Sequence, residues 1–121
     1  MNNLKQDISG RSDVKILVDQ FYHKVDSDDV LSPVFSHVDW NQHLPVMYDF
    51  WSSTLFGDQS YHGHPFQKHL PLQIHRNHFT RWLSLFKEAV DENFHGEKAE
   101  EVKMRAESIA GIFQYKLGLT T

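Results

Sequence analysis

There is no cysteine in this chain of 121 residues. That absence removes disulfides, iron–sulfur clusters, thiolate zinc centres and cysteine nucleophiles together. Positive charge is scarce too: twelve Lys and Arg stand against sixteen Asp and Glu, for a formal net charge of −4. With no dense basic stripe to follow a phosphate backbone, nucleic acid is not an expected partner. No apolar run reaches the ~18 residues that a membrane-spanning helix needs. The start, Met1 to Gln6, is polar rather than charged and then apolar. The expectation is therefore a cytoplasmic chain with no membrane partner. Phosphate loops, dinucleotide-binding glycine patterns and a Gly-x-Ser-x-Gly elbow are missing as well. At this length a single domain over residues 1–121 is expected.

What the chain has is aromatic mass in helical register. Nine Phe are a heavy dose for this length and predict an aromatic interior. Val14, Leu17, Val18, Phe21 and Val25 follow the i, i+3, i+4, i+7 template, with Ser12 or Asp13 placed to cap the start. Asp26-Ser27-Asp28-Asp29 breaks that helix, and Ser32-Pro33 begins a turn carrying Val34 and Phe35. Trp40, His43, Leu44, Met47, Trp51 and Leu55 make a second stripe, ended by Gly57-Asp58. Pro45, just after His43, predicts a locally irregular start to that helix. Residues 58–64 read as a loop, with a short helical piece after Pro65. Phe79, Trp82, Leu83, Phe86 and Val90 form a third stripe. Ala99, Val102, Ala106, Ile109, Ala110, Phe113 and Leu117 form a fourth, opening near Gly96-Glu97. No convincing period-2 alternation appears, so the fold class is all-α: four main helices and several short turns.

Three of these stripes carry a hydrogen-bonding side chain among apolar ones: Tyr22 on the first helix, His43 on the second and Trp82 on the third. Singly, each has an ordinary explanation. A Tyr at a stripe edge is usually an amphipathic core residue, a helix His is more often satisfied than ligating, and a Trp fills a core. Together, they suit an interior that holds something needing donors. His62, His64, His75 and His95 read as solvated. A zinc centre would want three or four ligands at short spacing. His75 and His78 could share a face, but no His-Glu-x-x-His is present and Arg76 lies between them. A carboxylate-bridged diiron bundle needs Glu-x-x-His on each of two helices, and that pair is missing.

A family likeness rests on motifs that occur in order. Phe21-Tyr22, Ser32-Pro33-Val34-Phe35, Trp40-x-x-His43 and Phe50-Trp51 come first. Tyr61-x-Gly63-x-Pro65, Lys68-His69 and His78-Phe79-x-Arg81-Trp82-Leu83-x-Leu85-Phe86 complete the set. From about Asp7 to Leu117 the chain resembles a truncated haemoglobin, specifically group III. The glycine-pair motifs of the other truncated groups are absent, which also fits.

The resemblance implies a shortened globin, a two-over-two helical sandwich around haem b and its iron. It puts the proximal ligand at His69, thirteen residues before Trp82, with Tyr22, His43 and Trp82 as the distal trio. It sets Phe35 against the haem plane and Met47 on the distal wall. His78 and Arg81, with Lys68, read as partners for the haem propionates, since carboxylates pair with cations. The implied function is binding of oxygen and other diatomics, nitric oxide and carbon monoxide among them, as a carrier or scavenger. Nitric oxide dioxygenation or peroxidase-like chemistry is the enzyme version, and with no reductase module in view it would need an external reductase. The rival is a non-haem, histidine-rich helical module that binds metal or a protein partner.

Overall fold

The computed structural model describes residues 5–36, 38–57 and 75–118. Four helices follow one another: α1 (Arg11–Asp26), α2 (Trp40–Phe56), α3 (Arg76–Asn93) and α4 (Glu97–Lys116). No strand occurs among the described residues. The expected loop over 58–64 and the short helical piece after Pro65 lie outside them, as do Lys68 and His69.

α1 forms where the apolar period predicts. Val14, Leu17, Val18, Phe21 and Val25 are all buried on one face. The cap is Gly10 rather than Ser12 or Asp13. Asp13 instead sits inside the first turn and reaches back, its Oδ2 accepting from the backbone N–H and the hydroxyl of Ser9, both at 2.9 Å. That position still favours a carboxylate, because the helix N-terminus is its positive end.

α2 is capped by Asp39, whose carboxylate accepts the Asn41 N–H at 3.1 Å. The irregular start expected from Pro45 does not occur, since the helix runs unbroken from Trp40. Proline lacks one donor, and the capped first turn ahead of it holds the helix together despite that loss. Gly57 ends α2 in the left-handed region, at φ 67°, with its N–H on the Ser53 carbonyl. Glycine is the residue that adopts this backbone without strain.

α1 packs on both α2 and α3, α3 packs along α4, and α2 reaches α4. This is the expected two-over-two sandwich. An aromatic spine runs through its centre. Phe86 of α3, fully buried, meets Phe21 edge-on at 5.1 Å and Trp51 at 5.0 Å, between ring centroids. The N-terminal arm is tied to the far end of the fold by Asp7. Its two carboxylate oxygens accept the N–H groups of Lys98 and Ala99 at 2.9 and 2.8 Å, capping α4 from 91 and 92 residues away.

Candidate functional site

The four helices described and the turn after α1 leave an apolar cavity between them, part of it open to solvent. Its walls are contributed piecewise. Tyr22 comes from α1, and Leu31, Val34 and Phe35 from the turn. Met47, Phe50 and Trp51 come from α2, His78, Phe79 and Trp82 from α3, and Ile109, Ala110 and Phe113 from α4.

Two of these side chains carry donors held in place by aromatic packing. The indole of Trp82 stacks on Phe86 at 5.5 Å and receives the edge of Phe21, also at 5.5 Å. The phenol ring of Tyr22 is held by Phe21 at 4.7 Å and Trp40 at 5.1 Å. Burial pushes the Tyr22 hydroxyl well above its ordinary pKa, so it remains an O–H donor throughout the physiological range. An indole N–H can only donate. Tyr22 and Trp82 thus bring a hydroxyl and an indole from different helices to a mostly apolar wall, which Trp51 and His78 also line.

His43 is placed differently from the expectation that it shares that wall. It is absent from the cavity lining. Its ring packs edge-on to Tyr22 at 5.2 Å and to Trp40 at 5.6 Å, behind the phenol. Its Nε2 is buried and makes no hydrogen bond among the described residues, although the residue has other interactions. Trp40, to which the sequence reading gave no role in the site, therefore props both polar members, and its stacking on Phe35 at 6.0 Å ties them to the turn. Its three-residue spacing from His43 was the available signal.

The remaining predicted residues divide. Phe35 and Met47 line the cavity. His78 lines it too, while its Nδ1 accepts the His75 N–H at 2.8 Å at the start of α3. Burial and the neighbouring His75 push the His78 pKa below its ordinary value, which favours the neutral ring. Arg81 turns to Asp28 instead, its Nε and Nη2 both 2.7 Å from Oδ1. Asp28 is the residue the sequence reading missed, taken there as part of a helix break. Burial alone would raise its pKa, but the Arg81 guanidinium and the N–H groups of Leu31 and Val30 hold it below the ordinary carboxylate value. Among the described residues no group of three or more His, Asp or Glu is placed to hold a metal ion.

Residues 3–113 match the bacterial-like globin family. The chain belongs to that family. Within it, this globin is 31% identical to the group 3 truncated hemoglobin ctb of Campylobacter jejuni, over 95% of its own length and 98% of the relative's. The crystal structure of the group III truncated hemoglobin from Campylobacter jejuni superposes with a TM-score of 0.87 at 30% identity, covering 98% of this chain and 97% of that one. The truncated oxygen-avid haemoglobin of Bacillus subtilis superposes with a TM-score of 0.77 at 33% identity, covering 86% and 92% respectively. The expected kinship with group III truncated haemoglobins therefore holds, and haem-based ligand binding is the general property that comes with it.

The described residues fit such a group. The cavity's aromatic walls suit a flat apolar macrocycle, and the donors of Tyr22 and Trp82 suit a small polar ligand. Among the described residues no helix is long and apolar enough to cross a membrane.

Proposed function

We propose that this globin holds haem b in the cavity and binds oxygen reversibly there, together with other diatomics such as nitric oxide and carbon monoxide, in the cytoplasm. The observation that carries the reading is that Tyr22 and Trp82, two hydrogen-bond donors from two helices, line one apolar cavity. Haem held by a neutral imidazole would supply an iron able to take a diatomic ligand. Everything else is the work of the chain. His69 is the proximal ligand in this reading, thirteen residues ahead of Trp82. Phe35 and Met47 shape the walls, while Tyr22 and Trp82 hold a polar ligand by its oxygen end. Apolar surroundings strengthen such hydrogen bonds by excluding competing water. His43, behind Tyr22, acts on the ligand through that phenol. Lys68, His78 and Arg81 remain the proposed propionate partners, Lys68 and Arg81 as cations and His78 as a hydrogen-bonding ring, with Arg81 also engaged by Asp28.

Two roles are open to such a site. Storage or scavenging of oxygen needs only the clamp. Nitric oxide dioxygenation or peroxide turnover would add an external reductase, with Tyr22 and Trp82 holding the polar substrate by hydrogen bonds. The oxygen-avid character of the Bacillus subtilis relative favours tight oxygen binding as the primary property.

An absorption spectrum of the purified protein with added haemin tests the proposal directly. A strong Soret band in the parent, lost or greatly weakened in His69→Ala and kept in His75→Ala, is the expected result. A parent with no Soret band would sink the haem reading. A His69→Ala variant with an unchanged ferrous spectrum would move the ligand elsewhere.

A further inference from the structure

Asp28 is a buried carboxylate, its side chain 6% exposed, at the junction of α1 and the turn. An ionised carboxylate offers about four lone-pair sites. Four donors take them here. The N–H groups of Val30 and Leu31 lie 3.1 and 3.0 Å from Oδ2, and Nε and Nη2 of Arg81 lie 2.7 Å from Oδ1. What these donors belong to matters more than their number. Leu31 lines the cavity, as do Val34 and Phe35 further along the same turn. Arg81 immediately precedes Trp82. One carboxylate therefore grips two walls of the cavity across 53 residues of sequence.

Apolar contacts with Phe21 and Phe86 hold the Trp82 ring at the right depth, but such contacts are weakly directional and let a helix slide or roll. A charge-assisted fork is short and directional. Attached at the residue before the indole, it fixes the rotation of α3 about its axis, and with it the line along which the N–H points. We propose that Asp28 is a positioning residue: through Arg81 and the turn amides it sets the Trp82 indole in the cavity that Tyr22 and Phe35 also line. This rests on the reading of Trp82 as a ligand donor.

The experiment uses the full chain with ¹⁵N-labelled tryptophan, first without haem and then haem-loaded. Without haem, the Trp82 indole N–H resonance, assigned by its loss in Trp82→Phe, should shift in both Asp28→Asn and Arg81→Ala. Loaded, both variants should release oxygen roughly tenfold faster, the equivalent of about one weakened hydrogen bond. Carbon monoxide, a weaker hydrogen-bond acceptor, should leave at nearly the parental rate. The double variant should behave like either single one, because only one link is broken. Arg81→Lys, which keeps the charge but not the fork, should fall between parent and Arg81→Ala. Arg81 is 47% exposed, so its truncation leaves the buried turn cap in place and decides the matter alone if Asp28→Asn fails to fold. A parental indole resonance and parental oxygen release in Arg81→Ala would overturn the proposal. A parent that takes up no haem would instead sink the haem reading, while the indole resonance still tests the strut.

Discussion

Tyr22 is buried and Trp82 half-buried against the core, yet both are donors by chemistry, and the two roles can be separated by substitution. Tyr22→Phe keeps the ring that packs on Phe21 and Trp40 and deletes only the hydroxyl. If bound oxygen takes a charge-assisted hydrogen bond from that hydroxyl, its loss costs on the order of 1.5–3 kcal/mol. At about 1.4 kcal/mol per decade, oxygen dissociation should then speed up roughly ten- to hundredfold, with carbon monoxide dissociation far less affected. Trp82→Phe should do the same. The double variant should fall short of the sum, because both donors share one acceptor. Stopped-flow oxygen release measures all three, and an unchanged rate in Tyr22→Phe would leave Tyr22 as a packing residue only. His43 belongs to the same scale. Because its ring lies behind the phenol rather than in the cavity wall, His43→Leu should change carbon monoxide association more than haem retention. Equal association rates in variant and parent would count against any control of entry by His43.

Among the elements, α4 depends most visibly on a residue far away in sequence. Its N-cap, Gly96, has no side chain, and Asp7 supplies the acceptors from the N-terminal arm. Asp7→Ala should destabilise the fold by about 1–2 kcal/mol, the usual cost of a lost helix cap, as read by urea denaturation. The contribution also depends on pH with a definite sign. Burial would raise the Asp7 pKa, but the N–H groups of Lys98, Ala99 and Ile8, with the Lys98 charge, bring it below 3.8. A carboxylate depressed in the folded state stabilises fully above its unfolded value, and that stability is lost as pH falls through the folded one. The difference in stability between parent and Asp7→Ala should therefore be constant from neutral pH down to about 5 and shrink below 4. Gly96 itself is constrained twice. Its φ of 142° is unfavourable for any side chain, and an added Cβ would lie 2.5 Å from the Asp7 Cγ. Gly96→Ala should thus destabilise the parent by more than about 1 kcal/mol, and only partly less in the Asp7→Ala background, where the Cγ and Oδ2 contacts go but the 2.7 Å approach to the Asp7 Cβ remains.

At the scale of the whole molecule, the core and the cavity are one construction. Phe86 touches Phe21, Trp51 and Trp82, so the ring that holds two helix pairs together also backs the indole. Phe86→Ala should cost about 3–5 kcal/mol, a large share of the stability expected for a domain of this size. Haem uptake should weaken with it, since the indole loses the ring it stacks on. Thermal unfolding followed by circular dichroism, with haemin titration alongside, checks both effects. A variant that loses stability but keeps parental haem uptake would show the cavity to be independent of the spine.

Much of this was legible in the chain itself. Apolar period alone located α1, α2, α3 and α4, because a helix that buries one face must repeat apolar residues every three to four positions, and that constraint is local. Gly57 marked the end of α2 for an equally local reason, its left-handed backbone. The motif order from Phe21-Tyr22 to Leu85-Phe86 carried the family, and with it Tyr22, Phe35, Met47 and Trp82 on a shared cavity. His69 and Lys68 lie in the segment outside the described residues, so their roles still rest on the sequence resemblance. Packing between distant segments decided the rest. Periodicity says which face of a helix is buried but not which ring an imidazole leans on, and His43 settled behind Tyr22 because Trp40 and Tyr22 offered it an aromatic niche. Nor does a run of Asp and Ser say which carboxylate is buried. Asp28 became the anchor of Arg81, and Asp7 the cap of α4, only when the fold brought charges and amides together across 53 and 91 residues.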